Sequence, residues 1–320
     1  MSSNSTYAII LTSTIGYISL YINFITIIAG TIGGICNLIT YSAPRLRKNA
    51  CVFYLLCATI LEIFSILIIV PTRIALDSFG NNLENQSILF CKLRYFISIV
   101  VPKLVTYYIL LAIVDRCLAT SSNVRIRSWS QLKVAHQSSM FVLIIGTITG
   151  IHILVFYNIF NAKCQVPAGN AYTIFFAVYL VVIVSLLPHT LMFIFSLITF
   201  RNFKRTRQRI IPIVSGVYSV RTKRSDSQLI SLVVIQVIIS SILVLLRLGS
   251  YTYSTLTSGN LNKNANEIAA ENFALKLGFS LYYFSFATSF YFSTLTRKFF
   301  RNIFCKRVRA LYNFFQHLIN

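Results

Sequence analysis

The chain has 320 residues, 56% hydrophobic and 11% charged, with 29 basic against 7 acidic side chains and a formal charge of +22. So little charge excludes an ordinary soluble domain of this length and points to membrane segments. The basic excess alone would suit nucleic acid, but bases interleaved with apolar runs of roughly 20 residues fit membrane topology instead.

Residues 1–16 read as a polar-to-apolar extracellular lead. Met1 to Thr6 lacks the positive leader of a cleavable signal, so the first helix is expected to serve as its own insertion signal. The lead holds the sequon Asn4-Ser5-Thr6, a candidate for glycosylation at Asn4 whose use would require this end to be outside. Seven membrane spans are predicted, over 17–41, 52–76, 91–118, 140–160, 172–200, 227–255 and 269–295. The first carries Gly30, Gly33 and Gly34, which allow close helix approach, and Asn37 near its inner end. The second carries Glu62 at mid-depth, where an acid costs several kcal/mol unless paired, hydrated or protonated, and Pro71, a kink site. A loop with a second sequon, Asn85-Gln86-Ser87, leads to the third span.

That third span opens at Cys91 and ends on Asp115-Arg116-Cys117, 24 residues from the cysteine to the aspartate. At ~1.5 Å per helical residue the separation is about 36 Å, more than the ~30 Å of a hydrocarbon core. Cys91 and Asp115-Arg116 therefore belong on opposite sides of the membrane. Two crossings later Cys164 falls on the same side as Cys91, where disulfides persist. The fifth span contains Pro188; the sixth contains Arg247; the seventh runs into an amphipathic segment, 297–320, whose bases favour anionic lipid. Cys305 in that segment is a candidate for palmitoylation.

Charge gives the orientation independently. The inner loops and tail, with Arg116 at the inner end of the third span counted in the second, hold three, four, eight and six Lys or Arg residues, whereas the outer loops hold only Lys163 and Lys263. The positive-inside rule then sets the N-terminus outside and the C-terminus in the cytoplasm, and the plasma membrane is the expected location.

Taken together, Asn37, Glu62, the Cys91-to-Asp115-Arg116 spacing, Cys164, Pro188 and Phe300-Arg301 resemble the rhodopsin-like G protein-coupled receptors over nearly the whole chain. The resemblance implies an all-α, seven-transmembrane helix bundle with a short amphipathic C-terminal helix, and a Cys91–Cys164 bridge. It also implies coupling to a heterotrimeric G protein through Asp115 and Arg116, with Asp226 holding Arg116 at rest, and a polar core of Asn37, Glu62, Ser289 and Ser293. The chain departs from the family at several points. Its one tryptophan, Trp129, precedes the fourth span; Leu246-Arg247 stands where the sixth-helix proline belongs; and Ser289-Phe290-x-x-Ser293 replaces Asn-Pro-x-x-Tyr. Glutamate at position 62 leaves the family's sodium role open.

The ligand is constrained by charge. Ser98 occupies the position of the amine-binding aspartate, and Tyr283 that of the retinal lysine, with Lys276 two turns too shallow, so amines and retinal are disfavoured. Candidate pocket residues are Arg94, Ser98, Lys103, Arg247 and Lys276. Lys103 asks for an anion, supplied either by a ligand carboxylate or by Glu62. Asp77, Glu84, Glu267 and Glu271 suit a basic peptide, so a neuropeptide-type ligand is expected, the alternative being a chemosensory receptor for a small molecule. A transporter would show repeats or broken helices in corresponding halves. An enzyme would need clustered ligands, whereas His136, His152, His189 and His317 are scattered. No metal, cofactor or nucleic-acid partner is expected; the partners implied are an extracellular ligand, a G protein and membrane lipid.

Overall fold

The computed structural model describes residues 2–44, 46–80, 83–160, 163–166, 171–210, 237–254, 257, 263–292 and 298–319. Almost all of them are helical. We label the long helices α1 (Ser2–Tyr41), α2 (Ala50–Phe79), α3 (Ile88–Ala119), α4 (Leu132–Phe156, with a break at Thr149-Gly150), α5 (Ala171–Ile210), α6 (Val237–Ser254), α7 (Ala265–Phe290) and α8 (Lys298–Ile319). Among the described residues, α1 to α6 are long and apolar enough to cross a membrane. Their outward faces carry bare large side chains such as Ile28, Phe141 and Phe193, the pattern of lipid-facing surface rather than of a water-soluble monomer. The chain is an all-α, multi-pass membrane protein. α7 is long enough, at 26 residues, but its charges and its serines and tyrosines leave it outside that apolar group.

The bundle is organised on α3, which packs against α2, α4 and α5, while α1 packs against α2 and α7. Small residues set these distances. A Cβ on Gly33 would lie 3.1 Å from Phe290 Cβ, one on Gly30 3.1 Å from Ala287 Cβ, and one on Gly34 would strike Ile63. Gly146 and Gly150 do the same for α4, whose backbone receives Leu104 and Val100 of α3. The ends are defined by local chemistry. Asn49 caps α2, accepting from Cys51 N–H, and Gly80 ends it at φ +62°, a left-handed conformation open to glycine. Asn264 and Glu267 form a reciprocal capping box on α7. In α5, Pro188 cannot donate a backbone hydrogen bond, so the ladder before it widens to a π-helix over Tyr179–Leu186, with Leu187 N–H reaching back to Val182.

Several boundaries differ from those expected. The lead of residues 1–16 is not separate: α1 is helical from Ser2, because nothing before Gly16 breaks a helix. α4 begins at Leu132 rather than 140; its first turns are polar but free of Gly and Pro, and they bury Ala135 and Ser139. Residues 158–160 are not helix but β1 (Asn158–Phe160), paired antiparallel with β2 (Lys163–Gln165). Residues 227–236 of the sixth span lie outside the described residues. α8 turns under the bundle, with Phe300 edge-on to Tyr41 and Arg307 bonded to the Ser42 carbonyl at 3.3 Å.

Candidate functional site

Polar side chains gather at both ends of α3. At the end nearer Cys91 the helices form a cavity of about 380 Å³. The Cys91–Cys164 disulfide, Cα–Cα 5.7 Å, ties the β-hairpin to the start of α3. Asn85 Oδ1 accepts from Cys164 N–H at 2.8 Å and Ser87 caps α3, so this sequon also fastens the hairpin. Asn4 lies in the first turns of α1, and Cys305 is exposed on α8.

Three guanidinium groups line the cavity: Arg73 from α2, Arg94 from α3 and Arg247 from α6; no Asp or Glu among the described residues does. Arg73 pairs with Asp77 one turn on, at 2.7 Å, and Arg94 with Glu84. Arg247 has no acidic partner among the described residues. It lies over Tyr282 at 4.6 Å and Phe279 at 5.5 Å, and Arg73 meets the same Phe279 ring at 5.0 Å. Such cation–π contacts hold a guanidinium in place without neutralising it. Gly278 makes the placement possible, since a Cβ there would sit 3.2 Å from Arg247 Cα.

Of the expected pocket residues, Arg94, Ser98 and Arg247 share this wall, and Lys103 and Lys276 do not. Lys103 is 1% exposed and faces the seam between α4 and α5. Its Nζ donates to Tyr179 OH at 2.7 Å and Thr149 Oγ1 at 3.0 Å, which replaces both the ligand carboxylate and the Glu62 partnership considered for it. Glu62 is also buried, and its Oε1 has no hydrogen-bond partner among the described residues. The four acids expected to draw a basic peptide are all engaged. Besides Asp77 and Glu84, Glu271 pairs with Lys263, and Glu267 accepts from Asn264 N–H.

Asn37 Nδ2 donates to Ser289 Oγ at 3.1 Å, joining α1 to α7. Beside it Ser240, Ser285, Thr288 and Ser289 line a void of about 30 Å³, room for a water with several polar partners. Ser293 lies outside the described residues.

At the other end of α3, Arg116 Nη2 donates to Asp115 Oδ2 at 2.6 Å and to Asn49 Oδ1 at 2.9 Å, while Asp115 Oδ1 accepts from Ser130 Oγ at 2.6 Å. Both Asp115 and Arg116 are buried, so each hydrogen bond replaces water that burial removed. Asp226, expected as a partner of Arg116, lies outside the described residues. Sequence reasoning missed Asn49, Ser130 and Arg73. Only Asn49 carried a readable signal, a capping residue just ahead of an apolar run.

No protein-family model matches the chain, and no curated protein matches it either.

Proposed function

We propose that the chain is a seven-helix membrane receptor that binds an extracellular ligand in the cavity between α2, α3, α5, α6 and α7 and signals through a heterotrimeric G protein. In this reading α7 is the seventh span; its packing against α1 and α2 supports counting it, since a helix held among lipid-facing neighbours needs less apolar surface of its own. The observation that carries the proposal is the two-ended build of α3. One end is pinned by the Cys91–Cys164 bridge beside a cavity, and the other holds a buried arginine tethered by polar partners.

A ligand that favours one arrangement of α6 against α3 shifts the population by its differential affinity for the two states. Release of Arg116 from Asn49 and Asp115 then frees a guanidinium for a cytoplasmic partner. The small-molecule reading gains on the neuropeptide one, because the outer acids already have internal partners and the cavity is of small-ligand size.

The test is expression in cells with a panel of G protein reporters, comparing wild type with Arg116→Ala at matched surface level. A basal or stimulated signal that needs Arg116 supports the reading. Silence from well-folded surface protein, across all reporters and a chemical library, overturns it.

A further inference from the structure

Resting on the receptor reading for its biological role but not for its chemistry, we propose that the cavity takes a small amphiphilic anion, an apolar or aromatic body bearing one carboxylate or phosphate, with Arg247 as its principal partner.

The inference starts from charge balance. Three arginines line one cavity of about 380 Å³, and no carboxylate among the described residues shares the wall. Asp77 and Glu84 answer Arg73 and Arg94 from outside it, which leaves Arg247 as the cation without an acidic partner among the described residues. A guanidinium within a membrane bundle is costly unless an anion or water meets it. Among the described residues Arg247 meets the ring faces of Phe279, Tyr282 and Tyr283 and no hydrogen-bond acceptor, so its N–H edge is left for one.

Arg94 adds a second, independent sign. Its side chain is 9% exposed, yet its Nε has no hydrogen-bond partner among the described residues, so an unused donor is buried at the same wall. Arginine is also the side chain whose planar fork suits carboxylate and phosphate.

The apolar part of the remaining lining defines the body. Ile99, Phe176, Leu180, Val244, Leu248 and Leu275 stand there beside Ser98, Thr106, Ser185 and His189, so the molecule should offer hydrocarbon or an aromatic ring along with its charge. The volume is that of a small ligand rather than of an extended peptide. Because Arg247 rides on α6 while Arg73 and Arg94 ride on α2 and α3, an anion on Arg247 also relieves the mutual repulsion of cations carried by different helices. That ties occupancy to the position of α6.

The full chain would be reconstituted in nanodiscs of neutral phosphatidylcholine. Its melting temperature would be followed with 4-phenylbutyrate, 4-phenylbutyl phosphate, 4-phenylbutyramide and 4-phenylbutylamine, which vary the head on one body, and with the same acid–amide pairs from four to ten carbons. At least one acid is expected to stabilise the protein well beyond its amide and amine, and the better of carboxylate and phosphate names the head group. Arg247→Gln should weaken that acid about tenfold or more without lowering the unliganded melting temperature, and Arg247→Lys should fall between. Arg94→Gln combined with Glu84→Gln, which leaves no acid stranded, should weaken it as well. If no acid outperforms its amide, if the amine is preferred, or if Arg247→Gln keeps the full response, the proposal is overturned. No G protein is present in this assay, so its result is separate from that of the signalling test.

Discussion

Arg116 Nη2 donates to Asn49 Oδ1 at 2.9 Å, and the same Asn49 oxygen accepts the N–H of Cys51 that opens α2. One amide oxygen therefore caps a helix and tethers the arginine of α3. The cap is part of the fold, while the tether is free to break without unwinding α2. This makes Asn49, alongside Asp115, a partner of Arg116 among the described residues.

Asn49→Ala removes both roles. Loss of the cap should cost about 1 kcal/mol of stability, seen as a lower melting temperature in nanodiscs. Loss of the tether should raise basal G protein signalling per receptor at the surface, and Arg116→Ala in the same chain should abolish the rise. Asn49→Asp keeps the cap and strengthens the hold on Arg116, so its basal signal should be at or below wild type. A basal signal in Asn49→Ala no higher than in wild type would mean the tether does not restrain the resting state.

The Cys91–Cys164 bridge closes a loop of 73 residues in sequence. Chain entropy alone assigns such a link about 4 kcal/mol, although a chain already confined by a bilayer has less freedom to lose. Cys91→Ser, Cys164→Ser and the double variant should lose surface expression and melting temperature to the same extent, because each breaks one bond. Single variants that differ markedly from the double would show a second role for one thiol. Peptide mapping without reductant should recover the two cysteines in one linked pair.

The main lines of the fold were readable because a membrane demands long apolar helices, and runs such as 52–76 and 91–118 satisfy that demand visibly. The helical start of α4 was hidden by Lys133, His136 and Gln137, which read as loop although nothing in them breaks a helix. The site was half legible. Arg94, Ser98 and Arg247 could be assigned to the outer half from depth alone, and they do share a wall. Depth says nothing about rotation around the helix axis. Lys103 sits nine residues, two and a half turns, past Arg94 and points instead to α4 and α5. Arg73 sits near the end of the second span, where nothing in the sequence says which way it faces, and only the fold brings it to Phe279.

Gly278 tests how Arg247 is held. A Cβ at 3.2 Å from Arg247 Cα requires α6 or α7 to yield slightly. Gly278→Ala should therefore cost about 1 kcal/mol, and Gly278→Val about 1–3 kcal/mol, the range for overpacking. Both should weaken binding of any acid that needs Arg247, valine more than alanine, measured by melting temperature with and without the acid. Equal binding in all three proteins would detach the anion site from the α6–α7 contact.

Asn37 and Ser289 form a hydrogen bond between α1 and α7. Hydrogen bonds between membrane helices contribute about 0.6 kcal/mol on average and at most about 1.7 kcal/mol. A double-mutant cycle of Asn37→Ala and Ser289→Ala, read by unfolding in mixed micelles, should give a coupling in that range. A coupling indistinguishable from zero would show that water in the adjoining void replaces the bond.

Lys103 is buried, cationic and matched by hydroxyls rather than by an acid. Replacing a buried charge by an apolar side chain of similar volume is often neutral or stabilising, whereas removing one of its partners leaves the charge stranded. Lys103→Met should accordingly leave the melting temperature unchanged or raise it. Tyr179→Phe should lower it, by about 1–3 kcal/mol for a lost bond to a charged group. The double variant should recover most of the loss, because with the ammonium gone Tyr179 no longer serves it. Neither change should touch binding of an acid at Arg247, since Lys103 lies outside the cavity wall. A large destabilisation by Lys103→Met, unrelieved in the double variant, would mean that the ammonium has a further partner that holds α3, α4 and α5 together.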